Sequence, residues 1–231
     1  MSIDWLEPEA TVRGSVVVIT GRGEHAGVYG RFARRIAVDG YRVTVAEGGS
    51  GAALAAIDAA QASLPVVVVG SDTGASEALT VAAARPVVTG VVAAGLLTDT
   101  AVAPGDDWDG ELEIRSACPV HRGVLDSDAV DRGALAIPAT AVTAEVLAAN
   151  TVPTLVVHGS ADVVSAADQV RRLAQELPEG RIVIVNDGRH DILNDVSHRS
   201  VAAEIVQFLE RLRLPGAPDI ITRIPAGVLT G

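Results

Sequence analysis

The feature that most constrains this chain is a series of short valine- and isoleucine-rich runs, each followed by a stretch of helical character. Strands are predicted at 15–20, 41–47, 65–70, 86–94, 152–159 and 181–186. Because these runs show no alternation of apolar and polar residues, both faces of each strand are expected to be buried. Helices are predicted between and after them at 28–39, 51–63, 74–84, 165–177 and 196–213. The pattern predicts an α/β fold, a mostly parallel sheet with helices on both faces.

An acidic stretch rich in Asp, Gly and Pro, residues 95–151, interrupts this rhythm. It predicts an irregular, short insertion (95–150) over one end of the sheet, with one short helix near 140–149. A length of 231 residues suits a single domain that spans 1–231. The non-helical, apolar tail at 219–231 is compatible with packing on the surface or on a second copy, so a homodimer remains open.

Charge and composition exclude several classes of partner. The net charge is −11, and a nucleic-acid-binding protein needs a basic face, so no nucleic acid is expected. The apolar runs fall short of the roughly 18 residues that cross a bilayer, so no membrane span is expected. A single cysteine, Cys118, excludes an internal disulfide, and the start lacks a signal-peptide pattern. Both observations favour a cytoplasmic location.

Four loops follow strands at the carboxyl edge of the predicted sheet, where doubly wound folds bind their ligands. Their sequences are TGRGEH (20–25), GSDTG (70–74), HGSAD (158–162) and NDGRHDIL (186–193). The GSDTG segment lies between a strand and a helix, as a turn that presents a nucleophile does. The last three loops contribute Asp72, Asp162 and His190, in the order nucleophile, acid, histidine, which is the catalytic-triad order of α/β-hydrolases.

The chain resembles α/β-hydrolases, most of all the monoacylglycerol lipase and lysophospholipase group. GRGEHAGVYGRFARRIAVDGYRV is similar to that group's H-G-x-G-E-H segment, VVHGSADVVSAADQV to its acid loop, and GRHDILNDVSHRSVAAEIVQFL to its histidine loop. The resemblance implies an α/β-hydrolase fold with a reduced lid and an esterase-like hydrolase activity. It implies that His190 is the general base and Asp162 its orienting acid. Backbone N–H groups of Arg22 and Thr73 would form the oxyanion hole.

The aspartate at the nucleophile position of the elbow departs from that family. Haloalkane dehalogenases and epoxide hydrolases of the superfamily use such a carboxylate, which is ionised at neutral pH and needs no base. The two tyrosines, Tyr29 and Tyr41, lie outside the insertion, which disfavours epoxide opening, and Trp108 lies in an acidic stretch that suits a halide poorly. Ser71 as a shifted nucleophile, and a fold that persists without hydrolysis, are the remaining alternatives.

These observations predict a hydrolase of a small, uncharged, ester-like substrate that acts through Asp72, His190 and Asp162. The alternative is a catalytically altered or inactive relative that binds a small ligand or partner at the same place. No cofactor is expected, and the spacing of the five histidines predicts no metal site. Asp187 and Asp191, which flank His190, are interpreted as solvated turn residues.

Overall fold

The structure is a computed structural model that describes residues 3–61, 63–98 and 107–221. Its sheet contains β1 (Gly14–Ile19), β2 (Tyr41–Ala46), β3 (Val66–Ser71), β4 (Val88–Ala94), β5 (Thr154–Gly159) and β6 (Gly180–Val185). All neighbouring strands are parallel, in the order β2-β1-β3-β4-β5-β6. The predicted parallel sheet is confirmed, and every strand boundary lies within two residues of its prediction.

Helices cover both faces of this sheet. They are α1 (Gly30–Val38), α2 (Ser50–Asp58), α3 (Thr73–Ala84), α4 (Trp108–Arg115), α5 (Pro119–Val124), α6 (Ala144–Ala149), α7 (Ala167–Ala174) and α8 (His198–Leu212). In β3, Val67 and Val69 face the core that α1 and α8 cover, whereas Val66 and Val68 face the core under α2, α3 and α7. Two covered faces explain why the strands lack alternation. Burying one valine side chain completely stabilises the fold by about 1.5–3 kcal/mol relative to leaving it exposed.

The insertion between β4 and β5 is more helical than predicted. The helix expected near 140–149 is present as α6, but the sequence pattern missed α4 and α5. Asp107 caps α4 by accepting a hydrogen bond from the Gly110 N–H (2.8 Å), and Pro119 occupies the first turn of α5. The residues that α4 buries are Glu111 and Arg115. Its most buried residues are thus ionic, and only Trp108 and Leu112, which are partly buried, pack against the apolar core, so hydropathy gives little sign of this helix.

After α8 the chain continues through a short irregular segment. The Arg211 Nε donates to the Ala217 carbonyl (2.6 Å). Residues 222–231, and with them most of the tail considered for a dimer, lie outside the described residues. Within the described ranges, none of the helices combines the length and apolar character that crossing a membrane requires.

Candidate active site

Asp72 stands alone between β3 and α3, in the strained turn predicted from GSDTG. Its backbone has φ 54° and ψ −121°, a conformation that costs a residue with a Cβ about 1–3 kcal/mol. A Cβ on Gly70 would lie 1.9 Å from the Gly74 carbonyl oxygen, and one on Gly74 would lie 2.4 Å from the Ile19 oxygen. Both flanking positions therefore need glycine. The turn is therefore tight and strained, and it places the Asp72 side chain alone between the strand and the helix.

His190 bridges the two carboxylates that the sequence placed beside it. Its Nδ1 lies 2.8 Å from Asp162 Oδ2, and its Nε2 lies 3.1 Å from Asp72 Oδ1. Asp72, Asp162 and His190 are 3%, 5% and 1% exposed. Three loops that are distant in sequence thus bring the predicted residues into hydrogen-bonding contact.

The Asp162 carboxylate is held mainly by backbone groups of its own loop. Its Oδ1 accepts hydrogen bonds from the N–H groups of Val164 (2.8 Å) and Ser165 (3.2 Å). His158 Nε2 lies 3.3 Å from the other oxygen and donates to the Ser165 carbonyl at 2.8 Å. Burial raises the pKa of Asp162, but the charge and hydrogen bond of His190 outweigh burial, so the pKa lies below its usual value.

The Asp72 carboxylate is held by Arg22. Asp72 Oδ2 accepts from the backbone N–H (3.0 Å) and the Nε (2.8 Å) of Arg22, and Oδ1 accepts from Arg22 Nη2 (2.9 Å). With His190, each carboxylate oxygen has two donors. The remaining arm of the guanidinium, Nη1, donates to the carbonyls of Leu135 (3.2 Å) and Ile137 (2.8 Å) in the insertion. The sequence assigned a role to the Arg22 backbone only and missed this side chain.

The backbone N–H groups of Arg22 and Thr73, which were predicted to form the oxyanion hole, differ in whether they already have an acceptor. The Arg22 N–H already serves the Asp72 carboxylate. Thr73 is the first residue of α3, where a backbone N–H has no acceptor within its own helix. A negatively charged group in this turn therefore faces donors of Arg22 and of the N-terminus of α3.

The charges of the centre balance one another. Burial raises the pKa of Asp72, but the hydrogen bonds and charges of His190 and Arg22 hold it well below its usual value. Burial lowers the pKa of His190, yet Asp162 and Asp72 raise it well above its usual value. These directions favour a protonated His190 ring beside two ionised carboxylates and the guanidinium of Arg22.

Two alternatives from the sequence are disfavoured by these contacts. The Ser71 hydroxyl is buried and interacts with the Tyr29 hydroxyl rather than with His190. The Trp108 indole N–H donates to Asp126 Oδ1 (2.9 Å), so it is engaged within the insertion. In the part of the chain that the structure describes, no three or more His, Cys, Asp or Glu side chains are grouped to hold a metal ion.

The interpretation of Asp191 as a solvated turn residue is wrong. Asp191 is 4% exposed, and its Oδ2 lies 3.0 Å from His121 Nε2. Its Oδ1 lies 3.6 Å from Arg115 Nη1, in a cluster that also contains Glu24. The sequence contains both partners in the insertion, but nothing in their spacing indicates that they fold against the histidine loop.

Comparisons with known proteins agree on the fold. Residues 134–220 match the model of a family described as TAP-like protein, which is less than half of the chain. The monoacylglycerol lipase of Paleococcus ferrophilus is similar over 92% of this chain and 100% of its own (TM-score 0.70, 17% identity). A soluble variant of monoglyceride lipase from Saccharomyces cerevisiae is similar over 90% of both chains (TM-score 0.68, 14% identity).

MenH from S. aureus is similar over 93% of this chain and 100% of its own (TM-score 0.66, 14% identity). A search of curated proteins finds no match. At these identities the likeness establishes that the chain has the α/β-hydrolase fold. It also places the turn at Asp72 and the loops of Asp162 and His190 in a fold whose ligands meet the carboxyl ends of the strands.

Proposed function

We propose that this chain is a hydrolase that cleaves a small, uncharged, ester-like substrate with Asp72 as nucleophile, His190 as acid and base, and Asp162 as orienting acid. The observation that supports this most directly is the His190 ring, which contacts both carboxylates at 2.8 and 3.1 Å. The strained elbow backbone supports it too, because strain of this kind is concentrated at functional sites. The ester class is taken from the lipases that the fold resembles.

The protonation states favour a carboxylate nucleophile over a serine. A serine needs a neutral histidine to take its proton, but the carboxylates of Asp162 and Asp72 raise the pKa of His190, which favours the protonated ring. Asp72 is already ionised, so one of its oxygens attacks the acyl carbon directly. The acyl–oxygen bond to the leaving group breaks, and the leaving oxygen takes the proton of His190 Nε2. The product of this step is an acyl–Asp72 anhydride and a neutral imidazole.

Hydrolysis of the anhydride restores the starting state. Neutral His190 takes a proton from water, and the hydroxide attacks the acyl carbon. The bond to Asp72 breaks, which releases the carboxylic acid and regenerates the carboxylate. Asp162 holds the ring in one orientation through both steps and stabilises the imidazolium.

Attack requires Arg22 to give up one contact. If Asp72 Oδ1 is the attacking atom, its hydrogen bond from Arg22 Nη2 breaks, while Oδ2 keeps the backbone N–H and Nε. The released Nη2 and the Thr73 N–H then face the negative charge that develops on the substrate. Arg22 thereby supplies one of the two donors for the oxyanion, while His190 supplies the proton for the leaving group.

A second candidate, a non-hydrolytic relative that binds a ligand, is favoured by the same arginine. All four donor contacts on Asp72 come from the protein itself, and the side chain is 3% exposed. A carboxylate bonded in this way is a poor nucleophile until Arg22 moves. The two candidates differ in whether Asp72 ever forms a covalent bond.

Trapping that bond tests the proposal. Intact-protein mass spectra would be recorded after incubation with activated short esters and haloalkanes, for the wild type and for His190→Ala. Activated leaving groups depart without a proton, so the first step proceeds while the loss of His190 blocks deacylation. We expect an added mass that maps to residues 66–84 and is absent from Asp72→Asn.

His198→Ala is the matched control, because it removes a histidine at the start of α8 outside the centre, and it should accumulate no adduct. An adduct on Ser71 would mean that the nucleophile lies one residue earlier. No adduct and no turnover across the panel would reject hydrolysis in favour of the binding role.

A further inference from the structure

A second buried ionic cluster lies behind the catalytic centre, and Arg115 of α4 is its hub. Arg115 is 1% exposed. Its Nε and Nη2 lie 3.0 and 2.9 Å from Glu111 Oε1, and its Nη1 lies 3.1 Å from Glu24 Oε1 and 3.6 Å from Asp191 Oδ1. We call these four residues the Arg115 cluster. None of them takes part in the steps described above.

The cluster holds the histidine loop from the insertion. The Asp191 N–H donates to the Arg115 carbonyl (2.8 Å), and the His190 N–H lies 3.3 Å from the Ile114 carbonyl. The backbone of His190 is thus tied to the end of α4, while the Asp191 side chain faces the guanidinium and His121. A shift of Arg115 would move the peptide that carries the catalytic imidazole.

The cluster also holds the loop that carries Arg22. Arg115 Nη2 donates to the Arg22 carbonyl (3.2 Å). Glu24, which pairs with Arg115, accepts the Gly21 N–H (2.9 Å) and a hydrogen bond from the Tyr29 hydroxyl. The backbone on both sides of the Arg22 N–H is therefore fixed by this one guanidinium and its partner.

The cluster also holds the turn of the insertion that contacts the Arg22 side chain. Glu111 Oε2 accepts the Gly133 N–H (2.6 Å), and its Oε1 lies 3.4 Å from the Leu135 N. The Leu135 carbonyl is one of the two that accept Arg22 Nη1. The turn that supports the Arg22 side chain is therefore itself held by the Arg115 cluster.

We propose that Arg115 is a positioning residue that holds the Arg22 loop and the His190 loop at the separation that the catalytic centre requires. Buried ion pairs add little stability compared with apolar packing, so mere attachment of the insertion does not call for a guanidinium among three carboxylates. A planar, five-donor side chain instead fixes several loops in one geometry at once. The inference rests on the proposed function, but its geometric part can be measured without turnover.

The test compares Arg115→Lys and Arg115→Met with Arg132→Met, an exposed arginine of the same insertion. The first readout is the far-downfield NMR signal of the His190 Nδ1 proton, assigned by its loss in His190→Gln. The second is kcat and KM for whichever substrate forms the Asp72 adduct. Arg115→Lys keeps the charge and is the variant that decides the question if Arg115→Met does not fold.

We expect the downfield signal to shift or broaden in Arg115→Lys and to vanish in Arg115→Met, with kcat reduced about 100-fold and KM little changed. Arg132→Met should match the wild type in both. A folded Arg115→Lys with the wild-type signal and kcat would overturn the proposal. A wild type without turnover whose signal still depends on Arg115 would reject the proposed function while keeping the positioning role.

Discussion

Two aspartates flank the same imidazole, and they are held in different ways. Asp162 is fixed by backbone N–H groups of its own loop, which cannot leave without unfolding that loop. Asp72 is fixed by Arg22 of another loop, through both the backbone N–H and the guanidinium of that residue. Asp162 is thus held from within its own loop, and Asp72 by a residue of a different loop. Similar pKa directions at the two carboxylates conceal this difference in how each one is held.

The largest expected difference between the two aspartates is the one between their asparagine variants. Asp72→Asn removes the proposed nucleophile and should abolish the covalent adduct completely. Asp162→Asn leaves Asp72 in place but releases the imidazole into the wrong tautomer, which should slow turnover by about 10⁴-fold while the adduct still forms. Intact mass and steady-state rates measure both. Equal effects in the two variants would mean that the two carboxylates share one role.

Removing the guanidinium of Arg22 tests how Asp72 is held. Arg22→Met leaves Asp72 buried with fewer donors, so its pKa should rise and the free energy of unfolding should fall by about 3 kcal/mol. The double variant Arg22→Met/Asp72→Asn should recover most of that loss, because no buried charge is left unpaired. Urea denaturation of the four proteins measures the coupling. An additive cycle would show that Arg22 is not what holds Asp72.

The free energy of unfolding should depend on Asp72 at acidic pH and on His190 at alkaline pH. The pKa of Asp72 is lowered by folding, so its contribution is present above the unfolded value of about 3.9 and is lost as pH falls through the folded pKa. The pKa of His190 is raised, so its contribution is complete below about 6.5 and is lost as pH rises through the folded pKa.

Urea denaturation across pH for the wild type and His190→Gln checks this. A tenfold difference in proton affinity between the folded and unfolded protein corresponds to about 1.4 kcal/mol of stability, which such a series resolves. His190→Gln should lose the decline on the alkaline side. An unchanged alkaline decline in that variant would place the responsible group elsewhere.

The smallest effect is expected at an exposed histidine–aspartate pair. His25 Nε2 lies 3.3 Å from Asp131 Oδ1, and the two side chains are 49% and 74% exposed. His25→Ala should change the free energy of unfolding by less than about 0.5 kcal/mol, because solvent screens such pairs. A larger loss in urea denaturation would indicate that the turn at 23–25 depends on this contact.

The parts of the molecule that sequence could predict are those with a local signature. The strands are predictable because both faces are apolar, and Asp72, Asp162 and His190 because each follows a strand at the same edge. Arg22 has no such signature, since a side chain in a glycine-rich turn follows no periodicity. Its direction depends on the Leu135 and Ile137 carbonyls, which are more than a hundred residues away.

The Arg115 cluster escapes prediction for a different reason. Glu111 and Arg115 are four residues apart on an acidic helix, a spacing that is typical of a solvent-exposed ion pair. Only the fold places Glu24 and Asp191 beside them and buries all four. Sequence reasoning assigns such charges to water by default, and that is also why the prediction for Asp191 is wrong.

The backbone at position 72 bears on how this chain could drift over generations. With φ at 54°, the local conformation favours glycine, and a change to glycine would relieve strain and remove a buried charge at once. The same change would leave the buried groups of Arg22 and His190 that face Asp72 without this carboxylate, and breaking one side of a buried ion pair is costly. Drift under selection for folding alone would therefore have to change these residues together rather than one at a time. The aspartate is strained in its backbone and stabilised by its charged partners, and the two effects oppose each other.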